Sequence, residues 1–350
     1  MVLRLGDTRY CAAFGGVRRN RVGRFQAKNA PAPAACPESG DVTIATLNIL
    51  HGLGCGSSFC RQEERVVLAG QFIVDRGCPD IVAFQEVINV VPAFPSIVTA
   101  VQDHLLDICP FPYEVVYIPG NLLDDSLLLT RYPAVATELR ILAGALAFRN
   151  VLYARIDHPA GPIDVFSTHL ASSADGGPNP CGVGCPPECV AAGAVTLRDC
   201  QAVQTALMVE ELHHVDAPAF LVGDFNDEAG TFVYNQYVGR GWTDAYLAAG
   251  GAECDSGTGI GCTSGRDDVQ VESPALNVDE RIDFIFVVPP GAGSLCTGTL
   301  DSIADADGDG VATRLFAEVP NPFSPMCGPM PDPVCWSSDH NGVQADLNCE

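Results

Sequence analysis

Leu221-Val-Gly-Asp-Phe-Asn-Asp227 is the stretch on which the reading of this 350-residue chain turns. Ala219, Phe220, Leu221 and Val222 read as the end of a buried strand, and Gly223 as the point where the backbone turns. Asp224 and Asn226 follow at the strand's carboxyl end. Residues two apart on an extended backbone point the same way, so a carboxylate and a carboxamide are expected to face one spot. The first can hold a metal or orient a water; the second can donate to an anionic oxygen. Gly, Asp and Asn also make ordinary turns after strands, so the weight of the stretch depends on its company.

The chain is 47% hydrophobic, enough for one large domain or two small ones with an ample core. No run approaches the roughly 20 apolar residues of a membrane span. Net charge is −24 and uneven: residues 1–35 hold seven Arg and Lys against Asp7 alone, a net +6, which leaves −30 on the rest. An acidic body gives no electrostatic footprint for nucleic acid, although metal ions in a cleft would allow a polyanionic substrate. Residues 1–40 read as a basic, disordered tail and a Pro/Ala linker, and residues 41–350 as the domain.

Sixteen cysteines lie mostly in Gly/Pro-rich stretches. The close pairs Cys55/Cys60, Cys254/Cys262 and Cys327/Cys335 read as disulfide-closed loops of a secreted or periplasmic protein. Cys181, Cys185 and Cys189 have a spacing compatible with zinc, but Gly-Pro surroundings and nearby Cys200 favour disulfides. Met1 to Ala35 carries no apolar signal region, so export rests on cysteine usage alone.

Along the domain, strands are expected at 42–48, 80–84, 113–118, 126–130, 135–142, 151–156, 163–167, 219–222, 242–246, 282–288 and 342–347. Helices are expected at 61–75, 97–106 and 198–214. Irregular Cys-rich insertions fill residues near 171–197, 250–280 and 289–336. Within the last, Asp305, Asp307 and Asp309 match the first half of a calcium loop whose twelfth position is Phe316 rather than Glu. Many strands with few helices between them, and no dinucleotide glycine signature, argue for two packed sheets with helices outside.

Polar residues recur at the strand ends: Asn48, Glu86, His169, Asp224 with Asn226, Asp283, and Asp339-His340. Carboxylates favour a hard cation such as Mg²⁺, histidines move protons and donate to phosphate, and asparagines orient without adding charge. Together these are the parts of metal-assisted phosphoester hydrolysis. The set Thr46-Leu-Asn-Ile-Leu-His-Gly52, Asp80-Ile-Val-Ala-Phe-Gln-Glu86, Leu129-Thr-Arg-Tyr-Pro133, Ser167-Thr-His-Leu170, Gly223-Asp-Phe-Asn226, Arg281-Ile-Asp-Phe284 and Ser338-Asp-His-Asn341 resembles the endonuclease/exonuclease/phosphatase (DNase I-like) superfamily.

That resemblance implies an α+β fold, a four-layer α/β/β/α sandwich of two packed mixed β-sheets with outer helices. It implies Glu86 as principal metal ligand, with Asn48 beside it and Asp339 completing or supporting the site, for Mg²⁺ or Mn²⁺. His340 would be the general base, held by Asp283. Asp224 would position the attacking water and Asn226 would hold the phosphate. His169 would bind the phosphate and stabilise the pentavalent transition state or protonate the leaving group, with Asp124 or Asp125 as its acidic partner. The expected activity is an exported, metal-dependent phosphodiesterase acting on DNA or RNA. The alternatives are a sphingomyelinase/phospholipase C-like enzyme acting on a phospholipid head group, an inositide phosphatase, and, in another class, a non-catalytic, Ca²⁺-stabilised binding module. No stable protein partner is implied.

Overall fold

The computed structural model describes residues 2–5, 8–11, 41–89, 96–120, 124–144, 149–159, 161–215, 217–266, 271, 273, 278–289, 313–318, 320–321 and 334–348. Its strands are β1 (Val2–Leu5), β2 (Thr8–Cys11), β3 (Asp41–Asn48), β4 (Ile81–Val87), β5 (Glu114–Val116), β6 (Asp125–Thr130), β7 (Ala134–Ile141), β8 (Asn150–His158), β9 (Gly161–His169), β10 (Ala219–Asp224), β11 (Thr243–Asp244), β12 (Asp283–Val288), β13 (Thr313–Phe316) and β14 (Gly342–Asn348). Its helices are α1 (Gln62–Asp75), α2 (Ile97–His104), α3 (Pro187–Ala191), α4 (Leu197–Leu212), α5 (Phe232–Val238) and α6 (Ala245–Ala248).

β1 and β2 pair with each other. The other strands form two six-stranded mixed sheets, ordered β11-β12-β10-β9-β8-β7 and β13-β14-β3-β4-β6-β5. Each sheet holds one parallel pair, β9 with β10 and β3 with β4. Period-two burial decides the layers. From β3, Val42 and Ile44 enter the core between the sheets while Ala45 and Leu47 enter the core under α1 and α2. From β10, Phe220 and Val222 face the inter-sheet core while Ala219 and Leu221 pack with Ala202, Ala206 and Val209 of α4. Both sheets are therefore apolar on both faces, and the result is the expected sandwich of helix, sheet, sheet and helix.

The outer helices start on their own chemistry. Thr196 accepts from Asp199 N at 3.1 Å and the Asp199 carboxylate accepts from Thr196 N at 2.8 Å, a reciprocal cap on α4. Phe225 meets Tyr237 of α5, Phe284 and Phe286 edge-on, with Phe225–Tyr237 centroids 5.2 Å apart. Truncating Phe225 to Ala would cost about 3–5 kcal/mol.

Four expectations change, the first being that the insertion at 171–197, read as irregular, holds the short helix α3. The strand at 242–246 is only Thr243–Asp244, because the Asp244 carboxylate accepts from Tyr246 N at 3.1 Å and Leu247 N at 3.4 Å and starts α6. α5, capped by Thr231, was not legible in seven residues of mixed pattern. The stretch 289–336, read as irregular, contributes β13, which pairs with β14 (Leu315 opposite Val343).

Five disulfides join described cysteines: Cys55–Cys60, Cys78–Cys109, Cys181–Cys185, Cys189–Cys200 and Cys254–Cys262. Cys181, Cys185 and Cys200 lie close enough to hold a metal. Each is bonded to another sulfur, so the zinc alternative lacks its thiolates. Cys327 and the calcium-like Asp305, Asp307 and Asp309 lie outside the described residues. Among the described residues no helix is long and apolar enough to cross a membrane.

Candidate active site

The parallel pairs β3/β4 and β9/β10 end at the same edge of the sandwich, and their last residues converge there. In one sheet Asp224 stands opposite His169 on β9 and opposite Asp283 on β12, so three polar residues form a row. Gly223 is required in that row, though not for a turn. β10 continues through it to Asp224, but with φ of 138°, a backbone that L side chains rarely adopt, and a Cβ would lie 1.9 Å from the Thr168 carbonyl oxygen. The turn comes later. Asn226 adopts a left-handed backbone with φ of 51°, and its N–H donates to Asp224 Oδ1 at 2.8 Å. Asp224 and Asn226 thus share a spot because of this tight turn, not because of strand alternation.

The other sheet supplies Asn48 and Glu86. β4 loses register between Phe84 and Val87, and Glu86 has φ of 58°. This bulge re-aims the carboxylate into the site. Asn48 Nδ2 donates to Glu86 Oε1 at 3.0 Å and to Asp224 Oδ2 at 2.9 Å, so one amide links carboxylates from both sheets. The Asn48 side-chain Oδ1 accepts from Leu50 N at 3.0 Å. Just below, Gln85 donates to Ser167 Oγ at 3.1 Å and ties the sheets again.

Asp283 and His340 form a buried dyad. Asp283 Oδ2 lies 2.8 Å from His340 Nδ1, and Nε2 then faces Ser264 Oγ at 3.4 Å and Asp224 Oδ2 at 3.8 Å. The loop is fixed by Ser338, whose hydroxyl bonds the Asn48 carbonyl and Asp339 Oδ1 and accepts from His340 N. Arg65 fixes it from behind, donating to carbonyls of Ile49, Leu50, Cys60 and Ser337.

His169 completes the row. Its Nε2 lies 2.9 Å from Asn226 Nδ2 and 3.3 Å from Asp224 Oδ2. Its Nδ1 lies 3.2 Å from Asp124 Oδ1, which settles the acidic partner. Asp125 instead accepts from Tyr117, Gly120 and Asn150 and braces the start of β6.

The electrostatics are those of carboxylates in excess. Burial pushes the Glu86 carboxyl up, but His51 and His169 and hydrogen bonds from Asn48 and the His51 amide outweigh it and hold it at about 2. Burial opposes ionisation of Asp224 too, yet His169, His340 and Asn48 keep it well below the usual carboxylate range. Burial and neighbouring Asp224 push Asp283 up to about 6. Burial lowers His340, but Asp283, Asp339 and Asp224 raise it well above the ordinary histidine value. Without added cationic charge the dyad therefore holds its proton.

Glu86, Asp224, Asp283 and Asp339 with two imidazoles are an oxygen-rich donor set that suits a hard divalent cation. Asp224, Asp283 and His340 offer atoms within 4.8 Å of one another. Asn48 and Glu86 are adjacent, and Asp339 reaches Asn48 through Ser338.

Two site residues carried no assigned role in the sequence. His51 donates its backbone N–H to Glu86 Oε2 at 2.9 Å and places Nε2 3.5 Å from the same oxygen. It lies in the quoted motif around Asn48, which is the signal that pointed to it. Arg149 aims a guanidinium N–H at His169 Nδ1, 2.5 Å away, and has no motif to announce it.

A family model, Endonuclease/Exonuclease/phosphatase family, matches residues 45–340. Among solved structures the chain is similar to an endonuclease/exonuclease/phosphatase from Bacteroides vulgatus, with 20% identity, TM-score 0.54, and 89% of this chain and 99% of that one covered. It is also similar to a family protein from Bacteroides thetaiotaomicron, with 17% identity, TM-score 0.55, and 89% and 95% covered. A third is D. rerio TDP2 complexed with single-strand DNA product, with 16% identity, TM-score 0.55, and 88% and 99% covered. The search of curated proteins returned no match.

Proposed function

The chain belongs to the endonuclease/exonuclease/phosphatase family, whose members hydrolyse phosphoester bonds, and from that premise we propose that it is an exported, divalent-metal-dependent phosphodiesterase whose substrate is a nucleic acid. The observation that carries the reading is the convergence of the Asp283–His340 dyad, Asp224, Asn226 and His169 in one largely buried cluster, with Glu86 joined to it across Asn48.

Each residue has a task in hydrolysis. Water forms a new P–O bond while the bond to the leaving oxygen breaks, so one proton leaves the water and one reaches the leaving group. Asp283 holds His340 by Nδ1, which turns Nε2 toward Asp224 and the place where water would sit. Asp224 orients that water and His340 accepts its proton. Asn226 and His169, 2.9 Å apart, donate to the phosphate oxygens, and His169 is placed to supply the leaving oxygen with a proton. A divalent cation held by Glu86, with Asn48 and Asp339 beside it, would supply positive charge to the phosphate and to the leaving oxygen and would oppose the high proton affinity of His340.

Nucleic acid leads as substrate in line with the DNA product held by the D. rerio relative. The net charge of −24 makes a metal-filled cleft a condition of that reading. Export is supported by the five disulfides. The test is turnover of plasmid DNA, sphingomyelin vesicles and bis-p-nitrophenyl phosphate, each with Mg²⁺ and with EDTA. Metal-dependent cutting of DNA is expected. Release of phosphocholine would transfer the protein to the lipid-cleaving branch, and full activity in EDTA would overturn the metal mechanism.

A further inference from the structure

We propose that Arg149 and Asp175 are positioning residues for His169, which makes the Cys-rich insertion after β9 a working part of the active site. The inference rests on the reading of His169 as a phosphate-binding residue.

Arg149 is 4% exposed. A buried guanidinium requires partners that satisfy its charge and its donors, and these partners join two distant pieces of chain. One arm pairs with Asp124 and lies against His169 Nδ1; the other pairs with Asp175. The planar fork therefore spans from the insertion to the imidazole, on the side of the ring opposite its contacts with Asp224 and Asn226.

Asp175 is fixed in turn. Its Oδ2 accepts from Ser172 Oγ at 2.7 Å, and its own N–H donates to Ser172 Oγ at 3.3 Å. Burial raises its carboxyl, but Arg149, Ser172 and His169 outweigh that and lower it, so it stays ionised against the guanidinium. The turn that carries it is locked onto the sheet edge. Gly177 N donates to Ser172 O at 2.8 Å, Arg198 Nε donates to Ala171 O at 2.7 Å, and a Cβ on Gly177 would lie 2.1 Å from that same Ala171 oxygen. Farther along, Cys189–Cys200 fastens the insertion to α4. A chain of fixed contacts thus runs from α4 through the insertion to one imidazole. Small displacements of a group that must meet a transition state cost heavily in rate, on the order of 100-fold for 1 Å.

The test uses Asp175→Asn, which keeps the shape and the Ser172 contacts but removes the charge, together with Arg149→Lys, which keeps a charge that cannot span both arms. Two readouts are taken on the full chain with Mg²⁺: kcat and KM for bis-p-nitrophenyl phosphate, and the ¹⁵N chemical shifts of the His169 ring, assigned with His169→Asn. We expect Asp175→Asn to lower kcat about tenfold with KM within twofold, and to shift the His169 ring nitrogens. A folded Asp175→Asn protein with wild-type kcat and wild-type ring shifts would overturn the inference, as would a kcat loss that merely follows the fraction unfolded while the shifts stay unchanged. If the wild type turns over no phosphodiester, the functional reading falls, and the ring shifts still decide whether Arg149 and Asp175 set His169. If Arg149→Lys does not fold, Asp175→Asn carries the test alone.

Discussion

The two ends of the sandwich bury the same kinds of side chain to opposite effect. At the end opposite the site, Asp80 accepts from Thr43 N at 3.1 Å, from Thr43 Oγ1 at 3.0 Å and from Arg131 at 3.1 Å, with His158 4.0 Å away. Asp80 and Arg131 are thus paired with each other, and Thr43 satisfies the rest of the carboxylate. At the site end, Glu86, Asp224, Asp283 and Asp339 share three histidines, His51, His169 and His340, and one asparagine amide. The buried histidines report the difference. Burial lowers His158, and Arg131 lowers it further against the pull of Asp80. His340 rises despite burial because three carboxylates face it. A self-neutralised cluster holds a fold together, whereas one with carboxylates in excess has room for a cation and an anionic substrate.

Single changes at each end test this contrast. The largest effect is expected from His340→Ala: kcat per folded molecule on a phosphodiester about 1,000-fold lower. A folded variant with ordinary turnover would remove the catalytic meaning of the dyad. Next comes Asp80→Ala, which strands Arg131 and should cost about 3–5 kcal/mol of stability in denaturant titration. Its turnover per folded molecule should match wild type; a selective loss of kcat would show that the ends are not separate.

A smaller effect concerns acid stability without divalent metal. Glu86 is held lower in the folded chain than its ordinary 4.5, at about 2. Its ionised form therefore stabilises the fold above about pH 4.5, and that contribution disappears as pH falls toward about 2. It is on the order of 3 kcal/mol. Glu86→Gln should flatten this part of the stability–pH curve measured in EDTA; an unaltered curve would mean that the carboxylate is not held down by His51, His169 and Asn48.

The site was legible in outline because most of its residues lie at or beside the end or start of an apolar strand, and the strand ends were visible as runs such as Ala219 to Val222. Geometry was less legible. Period-two alternation holds in the strands themselves, where Val42, Ile44, Phe220 and Val222 face the inter-sheet core, but burial on both sides leaves no polar face in the sequence to say which side is which. It gave the wrong reason for the meeting of Asp224 with Asn226, because Asn226 leaves the strand in a left-handed turn. Glu86 depends on a bulge, and nothing local in Phe84-Gln-Glu-Val87 announces one.

What the sequence determined by itself was the inventory: apolar runs that must become buried strands, polar residues placed at their ends, and motifs specific enough to indicate the family. These are local properties, fixed by residue type and spacing. What only the tertiary structure decided was pairing across long separations. It chose Asp124 over Asp125 for His169, brought Arg149 and Asp175 to the same imidazole, and set Asn48 between carboxylates of two sheets. Those contacts depend on how the strands are ordered and how the sheets stack, and chemically equivalent side chains such as Asp124 and Asp125 differ only in which way the folded strand points them.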